Sequence, residues 1–187
     1  MTIEDSLENE LNENAKLLLG GDIEIDYNNR EGDQTKIDKI TKFATVSQMV
    51  EFSTMISTVN KKINKTSFTR VKSVDQFYPL YGKALYEPND ALEKLNQIES
   101  SILVNENIFK NLNLKINDIV KVQDKEFKVI GIVKVLPDIG GAFVFGDFAL
   151  TGKKTLDKLD LNTLGSFLNY EYKVKFNKSV NSKEGIK

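Results

Sequence analysis

"SILVNENIFKNLNLKINDIVKVQDKEFKVIGIVKVLPD", Ser101 to Asp138, changes its hydrophobic period four times in 38 residues. Ser101 to Val104 is a short apolar run of strand length, and Glu106 to Leu112 then spaces its apolar residues as a helix does. Asn117-Asp118 makes a turn, because Asn tolerates the left-handed conformation and Asp bonds its own backbone. Ile119 to Gln123 alternates as a strand, Asp124-Lys125 turns tightly, and Phe127 to Leu136 forms a longer strand. Pro137 ends that strand, since it has no N–H to donate to a ladder. Strand, helix, turn, strand, tight turn, strand is the order of a compact α+β unit.

Upstream, "LLLGGDIEI", Leu17 to Ile25, joins a helical pattern to an alternating one through two glycines. The helix runs from Ile3 to Leu19, with Ile3, Leu7, Leu11, Ala15, Leu18 and Leu19 on one stripe. The glycine pair stops it, and the stretch from Asp22 to Tyr27 follows as a half-buried strand. Asn28 to Asp33 is a polar turn, Lys36 to Phe43 a short helix, and Thr45 to Val59 a long, bent strand. "NKKINK", Asn60 to Lys65, is a solvated hairpin tip leading into Ser67 to Val74, and "DQFYPLYG" closes this half at Gly82. Asp90 to Ile98 is a helix with Asn89 or Asp90 as its cap.

Downstream, "GGAFVFGDFAL" enters a strand or loop, and Lys154 to Leu159 is a last short helix. The closing strand, Phe167 to Phe176, sets Tyr170, Tyr172, Val174 and Phe176 on one face. So amphipathic a strand needs a sheet, which predicts pairing with strands that precede Gly82. Asn177 to Lys187 is a loose polar tail.

Composition narrows the chemistry. In 187 residues there is no Cys and no His, which excludes disulfides, thiolate zinc sites, cysteine nucleophiles and the usual general base. Lysine plus arginine is 26 against 27 for aspartate plus glutamate, a balance unlike the basic face of a nucleic-acid binder. No apolar run reaches the roughly 18 residues of a membrane span. Gly140-Gly141 has no phosphate-loop lysine behind it, so neither ATPase activity nor a cofactor or metal is expected. Asp22 with Asp75, or Asp138 with Asp147, could be imagined as an acid/base pair, but aspartates at turns serve local hydrogen bonding. Phe143, Phe145 and Phe148 sit near glycine turns, with core packing as the first reading and an exposed apolar contact surface as the second. The glycines favour a loop, so at least one of the three rings is expected to be exposed.

The ordered elements from Ser101 to Asp138 resemble the periplasmic small-domain signature of MacB/FtsX-type ABC transporter permeases, with Asn117-Asp118 where that family has Gly-Asp. "LLLGGDIEI" resembles the Leu-Leu-Gly-Gly-Asp stretch after the first membrane helix of YbbP-like permeases. "VKSVDQFYPLYG" resembles their Val-Asp-x-x-Tyr-Pro-x-x-Gly strand end, and "LPDIGGAF" with "GSFLNYEYKVKF" their Pro-Asp-x-Gly loop and closing strand. Together these cover nearly the whole chain in the family's order. The lysine- and asparagine-rich loops and the absent membrane helices depart from it.

The resemblance implies an α+β, MacB-like periplasmic core domain. Residues 1–19 would be a stalk helix, 20–84 with 164–178 a discontinuous porter-like subdomain, 85–163 an inserted small, mostly-β subdomain, and 179–187 a loose tail. Met1-Thr2 would be an artificial start and Lys187 an arbitrary stop before the next membrane helix. The function implied is non-catalytic: coupling membrane-helix motion to a hydrophobic or lipid-like cargo or a partner protein outside the membrane. ATP hydrolysis would lie on a separate cytoplasmic ABC ATPase subunit, and two permeases would pair. Leu7, Leu11, Leu18, Phe143, Phe145 and Phe148 form the candidate contact surface. The alternatives are a freestanding β-rich binding or adaptor module and, more remotely, a hydrolase using carboxylates alone.

Overall fold

The computed structural model describes residues 13–59, 65–138, 146–156, 159 and 167–177. Helices are few and short, and the nine described strands all join one mixed sheet. Residues 13–19 are helical (α1), and Gly20, at φ +68°, ends the helix in the left-handed conformation that glycine adopts without cost. β1 (Ile23–Asn28) follows, then α2 (Gln34–Ile40), whose Asp33 cap accepts from Thr35 N. β2 (Ala44–Thr58) and β3 (Thr66–Val74) form the long hairpin expected from the sequence. A three-residue strand, β4 (Leu85–Glu87), was not expected, being too short to show a period. Then come α3 (Ala91–Gln97), β5 (Ser101–Asn105), α4 (Glu106–Asn111), β6 (Ile119–Val122) and β7 (Lys125–Val135). The chain ends in β8 (Phe148–Gly152), α5 (Lys153–Leu156) and β9 (Asn169–Phe176). Asn117 takes φ 76° at the turn before β6, the left-handed geometry that its side chain tolerates.

Six strands close on themselves. β2 pairs β3, β3 pairs β8, β8 pairs β5, β5 pairs β7, β7 pairs β6, and β6 returns to β2. Two of these pairings, β3 with β8 and β5 with β7, are parallel. Alternate residues of each strand point into this barrel: Phe52 and Ile56, Val71, Ile102 and Val104, Val120 and Val122, Phe127 and Val129, and Ala149. Ile108 of α4 joins the same core. A second core, with Met49, Val74, Leu103, Ile130 and Leu150, lies on the opposite faces of these strands, where Ala91 and Leu95 of α3 cover it. β5 is therefore buried on both sides, which is why it reads as an unbroken apolar run.

Outside the barrel, β9 lies between β1 and β2 and is antiparallel to both, in the register Ile23↔Val174 and Val46↔Val174. The closing strand thus pairs with strands that precede Gly82, as its amphipathic pattern required. Tyr172 anchors α2's approach, accepting from Gly32 N at 3.0 Å and meeting Tyr27 edge-on at 5.9 Å. The first half of β2 belongs to this outer sheet and its last residues to the barrel, so its length serves both. Pairing of β3 with β8 and of β2 with β6 crosses the boundary expected at residues 84/85.

Candidate functional site

The described parts of four stretches singled out in the sequence, around Gly20, Gly82, Pro137 and the end of β9, meet where α1 joins the body. After Gly20, Asp22 N donates to Val174 O at 2.7 Å, laying the chain against the end of β9. The Asp22 carboxylate accepts from Phe176 N at 2.8 Å and from the Tyr81 hydroxyl at 3.0 Å, and Lys16 of α1 lies 3.4 Å from it. Burial, with Asp22 as hydrogen-bond acceptor, pushes the Tyr81 phenol up to about 12. Two positive-φ glycines press on the Pro137–Asp138 pair that follows β7. A Cβ on Gly20 would stand 3.0 Å from Asp138 Cβ, and one on Gly82 would stand 2.3 Å from Pro137 Cβ. Leu17 of α1 also stands against Gly82, its Cδ2 3.7 Å from where that Cβ would be.

Beneath this junction lies a buried ion network. Lys72 of β3 is 3% exposed and its ammonium sits 3.1 Å from Asp138, 3.5 Å from Glu171 and 4.0 Å from Glu51. Glu171 is shared with Lys173 at 3.8 Å, Lys173 pairs with Glu24 at 2.6 Å, and Glu51 pairs with Arg70 at 3.4 Å. Tyr78 donates its hydroxyl to Asp138 at 2.5 Å. Three cations thus face four carboxylates contributed by β1, β2, β3, β9 and the segment after β7. Burial pulls the Lys72 ammonium down, but Asp138, Glu171 and Glu51 outweigh it and hold its pKa above the usual lysine value. Burial raises Glu51, partly offset by Lys72. Burial and the adjacent Asp138 carboxylate raise the Tyr78 phenol well above its ordinary value.

Such a network orders the elements it joins, because each charged member is already paired with another across the strands. The imagined acid/base pairs are not assembled. Asp75 accepts from Ser47 Oγ at 2.7 Å, Gln48 N at 2.7 Å and Phe77 N at 3.0 Å, while Asp147 accepts from Ser67 Oγ. Among the described residues no group of three or more acidic side chains is arranged to hold a metal ion. No helix among them is long and apolar enough to cross a membrane.

Of the candidate contact residues, Leu18 is 68% exposed. Phe148 is a correction: it is 8% exposed, because Gly146 and Asp147 lead directly into β8 and the ring joins the core beneath α3. Leu7, Leu11, Phe143 and Phe145 lie outside the described residues. Sequence reasoning missed Lys72, Glu171 and Lys173, which look like the solvent-facing residues of alternating strands. The available signal was their opposite sign on one face of β3 and β9, and it becomes specific only once β2 is known to lie between those strands.

No family model matches the sequence, and no curated protein matches it. Solved structures are similar to it in fold. A domain of "a putative Permease protein from Porphyromonas gingivalis" superposes with a TM-score of 0.51 at 11% identity, covering 81% of this chain and 69% of that one. The periplasmic region of MacB from Actinobacillus actinomycetemcomitans gives a TM-score of 0.49 at 16% identity, covering 87% and 78%. The extracellular domain of the noncanonic ABC-type transporter YknZ from Gram-positive bacteria gives 0.49 at 11% identity, covering 78% and 71%.

Proposed function

We propose that this chain is the extracytoplasmic, non-catalytic domain of an ABC transporter permease of the MacB/FtsX family, in its YbbP-like branch. ATP hydrolysis falls to a separate cytoplasmic subunit, and the domain passes membrane-helix motion on to a hydrophobic or lipid-like cargo or a partner protein. The observation that carries the reading is the meeting of α1 with the end of β9. The Asp22 main chain is bonded to Val174, and its carboxylate to Phe176 N. A domain strung between two membrane helices must leave and return at one end, and this junction supplies that geometry. The fold likeness to the Porphyromonas gingivalis permease domain agrees with it.

In this reading α1 is the stalk, and Gly20 against Asp138 is where its displacement reaches the body. Residues 20–84 with 164–178 act as the porter-like subdomain and 85–163 as its insertion. The return of β9 to β1 and β2 supports that division. The exposed Leu18 belongs to the surface offered to a second permease copy or another stalk.

These 187 residues contain no Cys, so in a parent whose remaining segments are also made free of cysteine a single introduced thiol reports the compartment of this domain. Lys121→Cys, on an exposed strand position, is placed in the membrane-embedded parent and treated in intact cells with a membrane-impermeant maleimide. Labelling in intact cells is expected. Labelling only after permeabilisation would overturn the extracytoplasmic placement, and a parent that never co-purifies with a nucleotide-binding subunit would overturn the transporter reading.

A further inference from the structure

Beside the ion network, an open cleft of about 690 Å³ lies between α3 and α5. Its lining includes half-buried Leu92, which supplies most of the apolar surface these two offer, and the edge of Tyr78, whose side chain is otherwise part of the second core at 5% exposure. The Tyr78 hydroxyl is taken up by Asp138, so the ring carbons are what this residue offers a ligand. Glu93, Asn96 and Gln97 of α3 form one wall, and Lys153 and Lys154 of α5 stand with Gln76 on the lining as well. Most polar groups here already have partners. Lys153 donates to Gln48 Oε1 at 2.5 Å, Gln97 Nε2 donates to Glu93 at 3.3 Å, and Asn96 Nδ2 reaches Leu92 O at 3.4 Å. Lys154 and Gln76 have no hydrogen bond or ion pair to another described residue.

We propose that this cleft binds a small amphiphilic carboxylate, with its apolar body over Leu92 and Tyr78 and its charged head on Lys154, assisted by the Gln76 amide. Two lysines against one glutamate leave the lining one positive charge in excess, which suits a monoanion. A phosphate dianion calls for a bidentate arginine fork, and no arginine stands among the described lining residues. The apolar surface distinguishes the site from one for a hydrated inorganic ion, because covering it rewards a ligand with an alkyl body. Tyr78 makes the cleft a neighbour of the α1 junction through a single side chain, since its hydroxyl holds the Asp138 on which Gly20 rests.

The test is an amide and methyl NMR titration of the chain with octanoate, octan-1-ol and inorganic phosphate in parallel. Octanoate is expected to give saturable shifts at Leu92, Asn96 and Lys154, while the alcohol and phosphate do not saturate over the same range. Lys154→Gln, at an exposed position, is expected to keep the wild-type spectrum and weaken octanoate about tenfold. Leu92→Ser should weaken it as well, through the lost apolar contact. Equal binding of octan-1-ol or of phosphate, unchanged affinity in Lys154→Gln, or shifts centred away from the cleft would each overturn the proposal.

Discussion

Lys72→Met is the perturbation that tests the junction most directly. Methionine keeps the length of the side chain, so what is lost is the charge and its hydrogen bonds rather than volume. The ammonium stands 3.1, 3.5 and 4.0 Å from Asp138, Glu171 and Glu51. Such separations each correspond to about 4–5 kcal/mol of attraction at an effective dielectric near ~20, against which the desolvation of four charged groups must be set. Removing one member of a buried pair exposes that desolvation cost, and the net loss is about 3–5 kcal/mol. Total stability for a domain of this kind is about 5–15 kcal/mol, so the variant should unfold at visibly lower urea. The deficit should also depend on pH, with a definite sign. Burial already raises the Glu51 carboxyl, and without the ammonium that partly offsets this, Glu51 holds its proton more tightly still in the native state than in the unfolded chain. The native state then binds more protons, and the variant regains stability as pH falls from 8 towards 5. Urea melts of both proteins at the two pH values read this out. A deficit under about 1 kcal/mol, or one equal at pH 8 and pH 5, would refute the network as drawn.

Gly82→Ala places a Cβ 2.3 Å from Pro137 Cβ at φ +77°, and should cost about 2–4 kcal/mol in chemical denaturation, whereas Gly146→Ala, with open space around its Cβ, should be neutral or slightly stabilising. Tyr78→Phe deletes the hydroxyl that Asp138 accepts and should cost about 1.5–3 kcal/mol by the same assay. Lys72 and Tyr78 both have native pKa values above their unfolded ones, so their contribution is complete below about pH 10 and is lost as pH rises beyond it. Stability measured from pH 8 to pH 11 should therefore fall along that limb, and less steeply in Tyr78→Phe. Leu18→Ser, at a position 68% exposed, should leave the stability of the isolated chain within about 0.5 kcal/mol, so any larger effect in the membrane-embedded parent reports a contact made there.

Local chemistry alone placed the helix stop at Gly20, the Asn117 turn, the long β2–β3 hairpin and the run from β5 to β7, because each depends on a residue's own conformational range or on a period of a few residues. It also assigned β9 to strands far upstream, since an amphipathic strand demands a sheet and its sequence neighbours supplied none. Closure of the barrel was not readable, because it depends on β6 meeting the far end of β2, a pairing of residues more than sixty positions apart with no local signature. The burial of Phe148 depended instead on β8 lying between β3 and β5, both distant in sequence, which sets the ring in the second core with Leu103, Ile130 and Leu150. The ion network needed more still. Lys72, Glu171 and Asp138 are ordinary polar residues in their own segments, and only the tertiary fold brings Glu171 and Asp138 each within 4 Å of the Lys72 ammonium, where loss of water makes their charges matter.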